Sequence, residues 1–66
     1  MLTMRPGDLV KLNQLYRTFK GFVIPDGALV TILWHTDDKT GLFYEHQTFE
    51  VATWWIIDKV EILSDT

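Results

Sequence analysis

The side chains best suited to chemistry lie on either side of Gly41. His35, Asp37 and Asp38 precede this glycine, and Glu45 and His46 follow it. On a hairpin the two imidazoles could approach each other, and two imidazoles with a carboxylate can ligate a divalent metal. Their spacing matches no recognised ligand motif, and turns attract Asp for its hydrogen bonds alone. The sequence therefore predicts no metal site and no cofactor.

Nucleophilic and phosphate-transfer chemistry also finds little support in the sequence. The chain has no cysteine, and its one serine, Ser64, lies in a polar tail. No glycine-rich phosphate loop is present. A pair of carboxylates needs a cleft to raise the pKa of one of them, and a chain of 66 residues rarely encloses one. We therefore expect no enzyme, no catalytic residue and no small-molecule substrate.

Aromatic and cationic side chains alternate in the segment 16–20. Tyr16, Arg17, Phe19 and Lys20 could bind nucleic acid, with bases stacked on the rings and phosphates against the cations. Phe19 could instead plug the end of the domain, leaving the cations solvated. Because the chain carries a net charge of −3, a protein partner is expected before a nucleic acid.

Trp54 and Trp55 form the most informative pair in the sequence. Neighbouring side chains of an extended strand point to opposite faces, so at most one indole can enter the core. The sequence does not decide which one is exposed. The outward indole could join Trp34 and Tyr44 in one aromatic surface of the kind enriched in binding interfaces. Alternatively, a turn could let both indoles pack on the domain.

The number of aromatic side chains also indicates a partner. Each can bury about 150–250 Å², and a domain this small has room inside for roughly half of them. A protein partner or a second copy of the chain would cover the others. The nine aromatic residues are Tyr16, Phe19, Phe22, Trp34, Phe43, Tyr44, Phe49, Trp54 and Trp55.

Charge is divided unevenly along the chain. Residues 1–25 carry four cations and one carboxylate, whereas residues 26–66 carry two cations and eight carboxylates. Such a division could drive head-to-tail self-association, unless the strands mix the two halves into an ordinary solvated surface. A further alternative is an acidic inhibitor of a host enzyme that imitates nucleic acid. That reading requires Asp37, Asp38, Glu45 and Glu50 to share one continuous face.

Alternating apolar residues and turn signals predict a single all-β domain over residues 1–66. Pro25-Asp26-Gly27 is a strong hairpin signal, since Pro presets φ and Gly accepts a positive φ. The predicted strands cover 9–12, 22–24, 28–35, an extended stretch from 42 to 55, and 59–63. Residues 13–20 are predicted to form an irregular loop, and one helical turn is the alternative for this segment.

This order of segments resembles SH3-like and KOW-like barrels. Pro6 to Leu12 looks like their opening strand, Gly21-Phe22-Val23-Ile24 like the second, Val30 to Trp34 like the third, and Lys59 to Leu63 like the last. The resemblance implies a five-stranded SH3-like barrel with a long loop between strands 1 and 2. In peptide-binding members that loop flanks the ligand groove. Short proteins of tailed bacteriophages resemble the chain over nearly its whole length.

Location is suggested by what the sequence lacks. No signal peptide is visible near the start, where Arg5, Asp8 and Lys11 interrupt the apolar residues. The longest apolar run, Ala28 to Trp34, is too short to cross a bilayer. We therefore expect a non-enzymatic interaction or structural protein, cytoplasmic in a host cell or associated with a virion, that self-associates or docks on a larger assembly.

Overall fold

A computed structural model describes residues 4–18 and 20–63. In this part of the chain, strands and one helical turn account for the regular structure. The elements in chain order are β1 (Leu9–Leu12), β2 (Tyr16–Arg17), β3 (Val23–Ile24), β4 (Leu29–His35), β5 (Lys39–Tyr44), β6 (Gln47–Ala52), α1 (Thr53–Ile56) and β7 (Val60–Ile62). The predicted all-β class is confirmed, and α1 is the one short helical element described.

The strands form two antiparallel sheets. Five of them make one sheet in the order β6-β5-β4-β1-β7, and β2 pairs with β3 in a separate two-stranded ribbon. The first and last strands are neighbours because Val10 lies opposite Ile62, while its other partner is Val30 on β4. β1 and β7, the first and last strands described, therefore lie side by side in the sheet.

Alternation along the strands separates an inner, buried face from an outer face. On β1, Val10 and Leu12 are fully buried while Leu9 and Lys11 are exposed, as the sequence pattern predicts. The inner face is covered by the β2–β3 ribbon and α1, where Phe22 packs on Phe49 with ring centroids 5.1 Å apart. The buried apolar core is Met4, Val10, Leu12, Ile24, Ala28, Val30, Ile32, Leu42, Phe49, Val51 and Ile56.

The predicted turn at Pro25-Asp26-Gly27 is present, but it does not make a hairpin. Gly27 has φ +89°, and the Ala28 N–H donates to the Pro25 carbonyl over 3.1 Å. The Gly27 N–H also donates to the Leu12 carbonyl, so the β1–β4 pairing begins directly after the turn. In the described structure β3 therefore pairs with β2, and the turn joins two different sheets.

Two further predictions about the strands are wrong. The predicted loop 13–20 contains β2, which is held by its ladder to β3. The predicted extended stretch 42–55 is divided by a two-residue turn, because Glu45 and His46 take positive φ values of 49° and 66°. Such values match the right-handed twist of a tight hairpin, here between β5 and β6. The same stretch ends in α1 rather than in a strand.

Candidate aromatic binding surface

A chain of buried threonine hydroxyls fixes the position of α1. Thr53, the first residue of α1, donates from its hydroxyl to the Thr36 carbonyl over 2.7 Å. Its hydroxyl oxygen also lies 2.8 Å from that of Thr40, which is fully buried. The Thr53 N–H adds a third bond, to the carbonyl of Asp38. These contacts fasten the start of α1 to the β4–β5 turn and so orient the side chains that follow.

The direction of the hydrogen bonds in this chain follows from counting protons. The single Thr53 hydroxyl proton goes to a carbonyl, so Thr40 must donate to Thr53 Oγ1. Thr40 Oγ1 then accepts at its 2.9 Å contact with His35 Nδ1. His35 must therefore carry a proton on Nδ1, which makes it a structural donor.

The helical turn sends the two neighbouring indoles in different directions. Trp54 is 74% exposed, whereas Trp55 is half-buried and packs against the core. The Trp55 ring contacts the Tyr16 ring at a centroid distance of 4.9 Å, and Lys59 Nζ lies 5.8 Å from the Trp55 ring centroid. Ile56, the next residue, is fully buried. Trp54 is thus the exposed member of the pair, presented by a well-anchored turn.

A groove of about 220 Å³ runs beside Trp54. We call it the Trp54 groove. Its apolar walls come from α1, the end of β6 and the β2 segment, and the charged residue in its lining is Arg17. The residues that line the groove are Leu15, Tyr16, Arg17, Val51, Ala52, Trp54 and Trp55.

A second groove of about 250 Å³ lies on the other side of Tyr16. It runs between the β2–β3 ribbon and β6, and Lys20 and Glu50 give it opposite charges. Tyr16 lines both grooves. The second groove is lined by Tyr16, Thr18, Lys20, Phe22, Gln47, Thr48, Phe49 and Glu50.

The structure separates the aromatic residues predicted to share one surface, namely Trp34, Tyr44 and the outward member of the Trp54–Trp55 pair. Trp54 and Trp55 lie together on α1. Trp34 lies on the outer face of the sheet over Gly41, whereas Tyr44 is half-buried against the core on the inner face. Trp34 changes face because a bulge between Ile32 and Trp34 interrupts the alternation of β4.

The predicted loop residues are placed around the two grooves. Tyr16 is partly buried between them, and Arg17 and Lys20 are exposed, one at each groove. Phe19 lies outside the described residues. Sequence reasoning missed Leu15, Val51 and Ala52 as residues of the Trp54 groove. No local motif marks them, because the groove forms only when β2 and α1 come together.

The remaining charged and histidine residues are scattered. Asp37 and Asp38 lie in the β4–β5 turn and Glu45 in the β5–β6 turn, at opposite ends of β5. Glu50, the fourth carboxylate of that alternative, lies on β6 opposite Gly41. Lys11 lies opposite Glu61 in the sheet, so the strands mix the basic and acidic halves of the chain at this point. Within residues 4–18 and 20–63, no cluster of three or more possible metal ligands occurs.

Comparison of the chain with protein-family models, with curated proteins and with solved structures finds no significant match. Among the described residues, no helix is long and apolar enough to cross a membrane.

Proposed function

We propose that this chain is a non-enzymatic protein-interaction module, an SH3-like barrel that docks on a partner protein through the Trp54 groove. The single observation that carries the proposal is the exposure of Trp54, 74%, on a turn held by buried hydrogen bonds. An indole presented rigidly to solvent loses little conformational entropy on binding and offers a large apolar contact. Tryptophan is also among the residues most enriched in binding hot spots.

The groove indicates the kind of partner segment that would fit. Its volume of about 220 Å³ is enough for one or two side chains. Trp54 and Leu15 provide apolar walls, while Arg17 borders the groove and Lys59 lies over Trp55. The proposed ligand is therefore an extended peptide segment with a large apolar side chain next to Asp or Glu.

Three features of the topology support the barrel assignment within this proposal. The sheet places the last strand, β7, beside the first. The β2–β3 ribbon lies in the long connection between β1 and β4, and α1 comes directly before the last connection to β7. This order agrees with the SH3-like resemblance of the sequence, and the resemblance to proteins of tailed bacteriophages belongs to the same proposal.

Selection from a random peptide library tests the proposed ligand. We expect the selected peptides to share an apolar residue flanked by carboxylates. Trp54→Ser should weaken their binding by about tenfold or more, which corresponds to 1.4 kcal/mol. Ile57→Ser is the matched control, because Ile57 is also an exposed apolar residue next to α1 but does not line the groove. Failure to select any peptide, or equal affinity for both variants, would contradict the proposal.

Nucleic-acid binding is the second candidate, and the exposed cations favour it. Arg17 and Lys20 stand on either side of Tyr16, one at each groove. The Tyr16 ring already contacts Trp55, so a base would have to stack on Trp54. Fluorescence titration with single- and double-stranded oligonucleotides at about 50 mM salt, where phosphate contacts are strong, tests it. Quenching of Trp54 that disappears in Arg17→Ala would favour this candidate over the peptide ligand.

A further inference from the structure

The outer face of the five-stranded sheet is unusually apolar. An antiparallel sheet with one solvated face normally places polar side chains there. Here large apolar side chains from four neighbouring strands, or from residues adjoining them, are more than one-third exposed. This outer apolar face consists of Leu9, Leu29, Leu33, Trp34, Phe43 and Leu63.

The strand register brings these side chains together. Thr31 lies opposite Leu9 on one side and Phe43 on the other, so these three form a row across β1, β4 and β5. Leu63 donates its N–H to Leu9 O over 2.9 Å and extends the row toward β7. The β4 bulge adds Leu33 and Trp34 to the same face.

Charged side chains border the apolar residues of this face. Lys11 on β1 is the cross-strand partner of Glu61 on β7 and of Leu29 on β4, so one cation adjoins the apolar residues. Glu50 lies on the edge strand β6 at the other side of the sheet. A flat partner could therefore cover the apolar centre while these charges stayed in contact with solvent.

We infer that the outer apolar face is the interface of a homodimer, in which two copies pack sheet against sheet. The face is independent of the Trp54 groove, which lies on the side covered by the β2–β3 ribbon. Complete burial of the exposed parts of these six residues on both copies would remove at most roughly 1,000 Å² of surface from solvent, which is about the lower limit for a specific interface. A two-fold axis lets the same patch serve both copies.

Salt dependence distinguishes this dimer from charge-driven association. Each copy carries a net charge of −3, so two copies repel each other over distances that salt screens. Added salt should therefore strengthen a face-to-face dimer. Head-to-tail attraction between a basic and an acidic segment would weaken under the same conditions.

Sedimentation equilibrium of the whole chain over a range of concentrations tests the inference. We expect a monomer–dimer equilibrium whose dissociation constant falls as salt is raised. Leu29→Glu and Phe43→Lys should each raise that constant by about tenfold or more. Ile57→Glu, a substitution of an exposed apolar residue outside the outer apolar face, should leave it unchanged.

Three results would overturn the inference. One is a monomer at every concentration up to the high micromolar range, which would leave the face to a different partner. Another is a dimer that dissociates as salt is raised. The third is a dissociation constant that Leu29→Glu and Phe43→Lys leave unchanged while circular dichroism shows that both variants are folded. Trp54→Ser should remain dimeric, so failure of the peptide-binding proposal and failure of this inference are separate results.

Discussion

The indole of Trp34 lies flat against Gly41 on the neighbouring strand. A β-carbon at residue 41 would come within 2.5 Å of the indole atoms Cδ2 and Cε2. Gly41 is paired with Trp34 across β4 and β5. The glycine is therefore required by the close approach of a ring, and Trp34 is held as part of the outer apolar face.

Gly41→Ala should destabilise the protein by about 1–3 kcal/mol, the usual cost of overpacking. The added methyl group must push the indole away from the sheet, so Trp34 emission should also shift toward longer wavelength. Urea denaturation measures the first effect and fluorescence the second. In a Trp34→Ala background the same substitution should cost little, since the clash is gone. An equal cost in both backgrounds would contradict the contact.

Thr40→Val should remove the central hydroxyl of the buried chain at nearly constant volume. It leaves the His35 Nδ1–H without its acceptor and Thr53 Oγ1 without its donor. Buried polar groups left unsatisfied cost about 1–3 kcal/mol. Thermal unfolding measures the loss. Thr48→Val is the matched control on an exposed strand position and should change stability by less than about 0.5 kcal/mol.

The proton on His35 Nδ1 is itself measurable. Because Thr40 must donate to Thr53, the histidine ring has to donate at Nδ1. Long-range ¹H–¹⁵N correlation spectra of the neutral ring should show the Nδ1-protonated tautomer. The Nε2-protonated tautomer would mean that the hydrogen-bond chain runs differently.

Trp54→Ser and Trp55→Ser should separate binding from folding. Trp55 packs on Tyr16 and the core, so its loss should cost about 2–4 kcal/mol, somewhat below the value for a fully buried aromatic. Trp54→Ser should change stability by less than about 0.5 kcal/mol, because the side chain is mostly in solvent. Equilibrium denaturation of the two variants checks this. A large loss of stability in Trp54→Ser would make it a structural residue.

Val30→Asp should unfold the domain, and Leu29→Asp should not. Val30 is fully buried, and an unpaired carboxylate there costs several kcal/mol, a large part of the stability of so small a domain. Leu29, its neighbour on β4, points to the outer face and is half exposed. Circular dichroism of both variants tests which face of β4 is the core. Two folded variants, or two unfolded ones, would contradict the assignment.

The sequence predicts the strands in which alternation is simple. On β1 and in the first half of β4, burial follows every second residue, as for Val10, Leu12, Val30 and Ile32. Beyond Ile32 the bulge reverses the alternation, and Trp34 moves to the outer face. One inserted residue leaves no mark in the sequence. The sequence alone therefore could not show that Trp34 and Tyr44 lie on opposite faces of the sheet.

Local signals also fail where tertiary contacts decide the structure. The turn at Glu45 and His46 lacks the glycine or asparagine that usually marks a positive φ. The β-branched and aromatic residues after Ala52 favour a strand, but the Thr53 bonds to Thr36 and Asp38 start α1 instead. The exposed and half-buried positions of the two tryptophans therefore arise from a helical turn rather than from a strand.

The three tryptophan indole N–H resonances test the central claim most directly, because Trp54 and Trp55 report on the Trp54 groove and Trp34 reports on the outer apolar face. Titration of a ¹⁵N-labelled sample with a selected peptide should shift the Trp54 and Trp55 indole signals and leave that of Trp34 in place. Dilution of the free protein should instead shift the Trp34 signal, as the outer apolar face becomes exposed. A peptide that shifts Trp34 while leaving Trp54 unchanged would contradict the account.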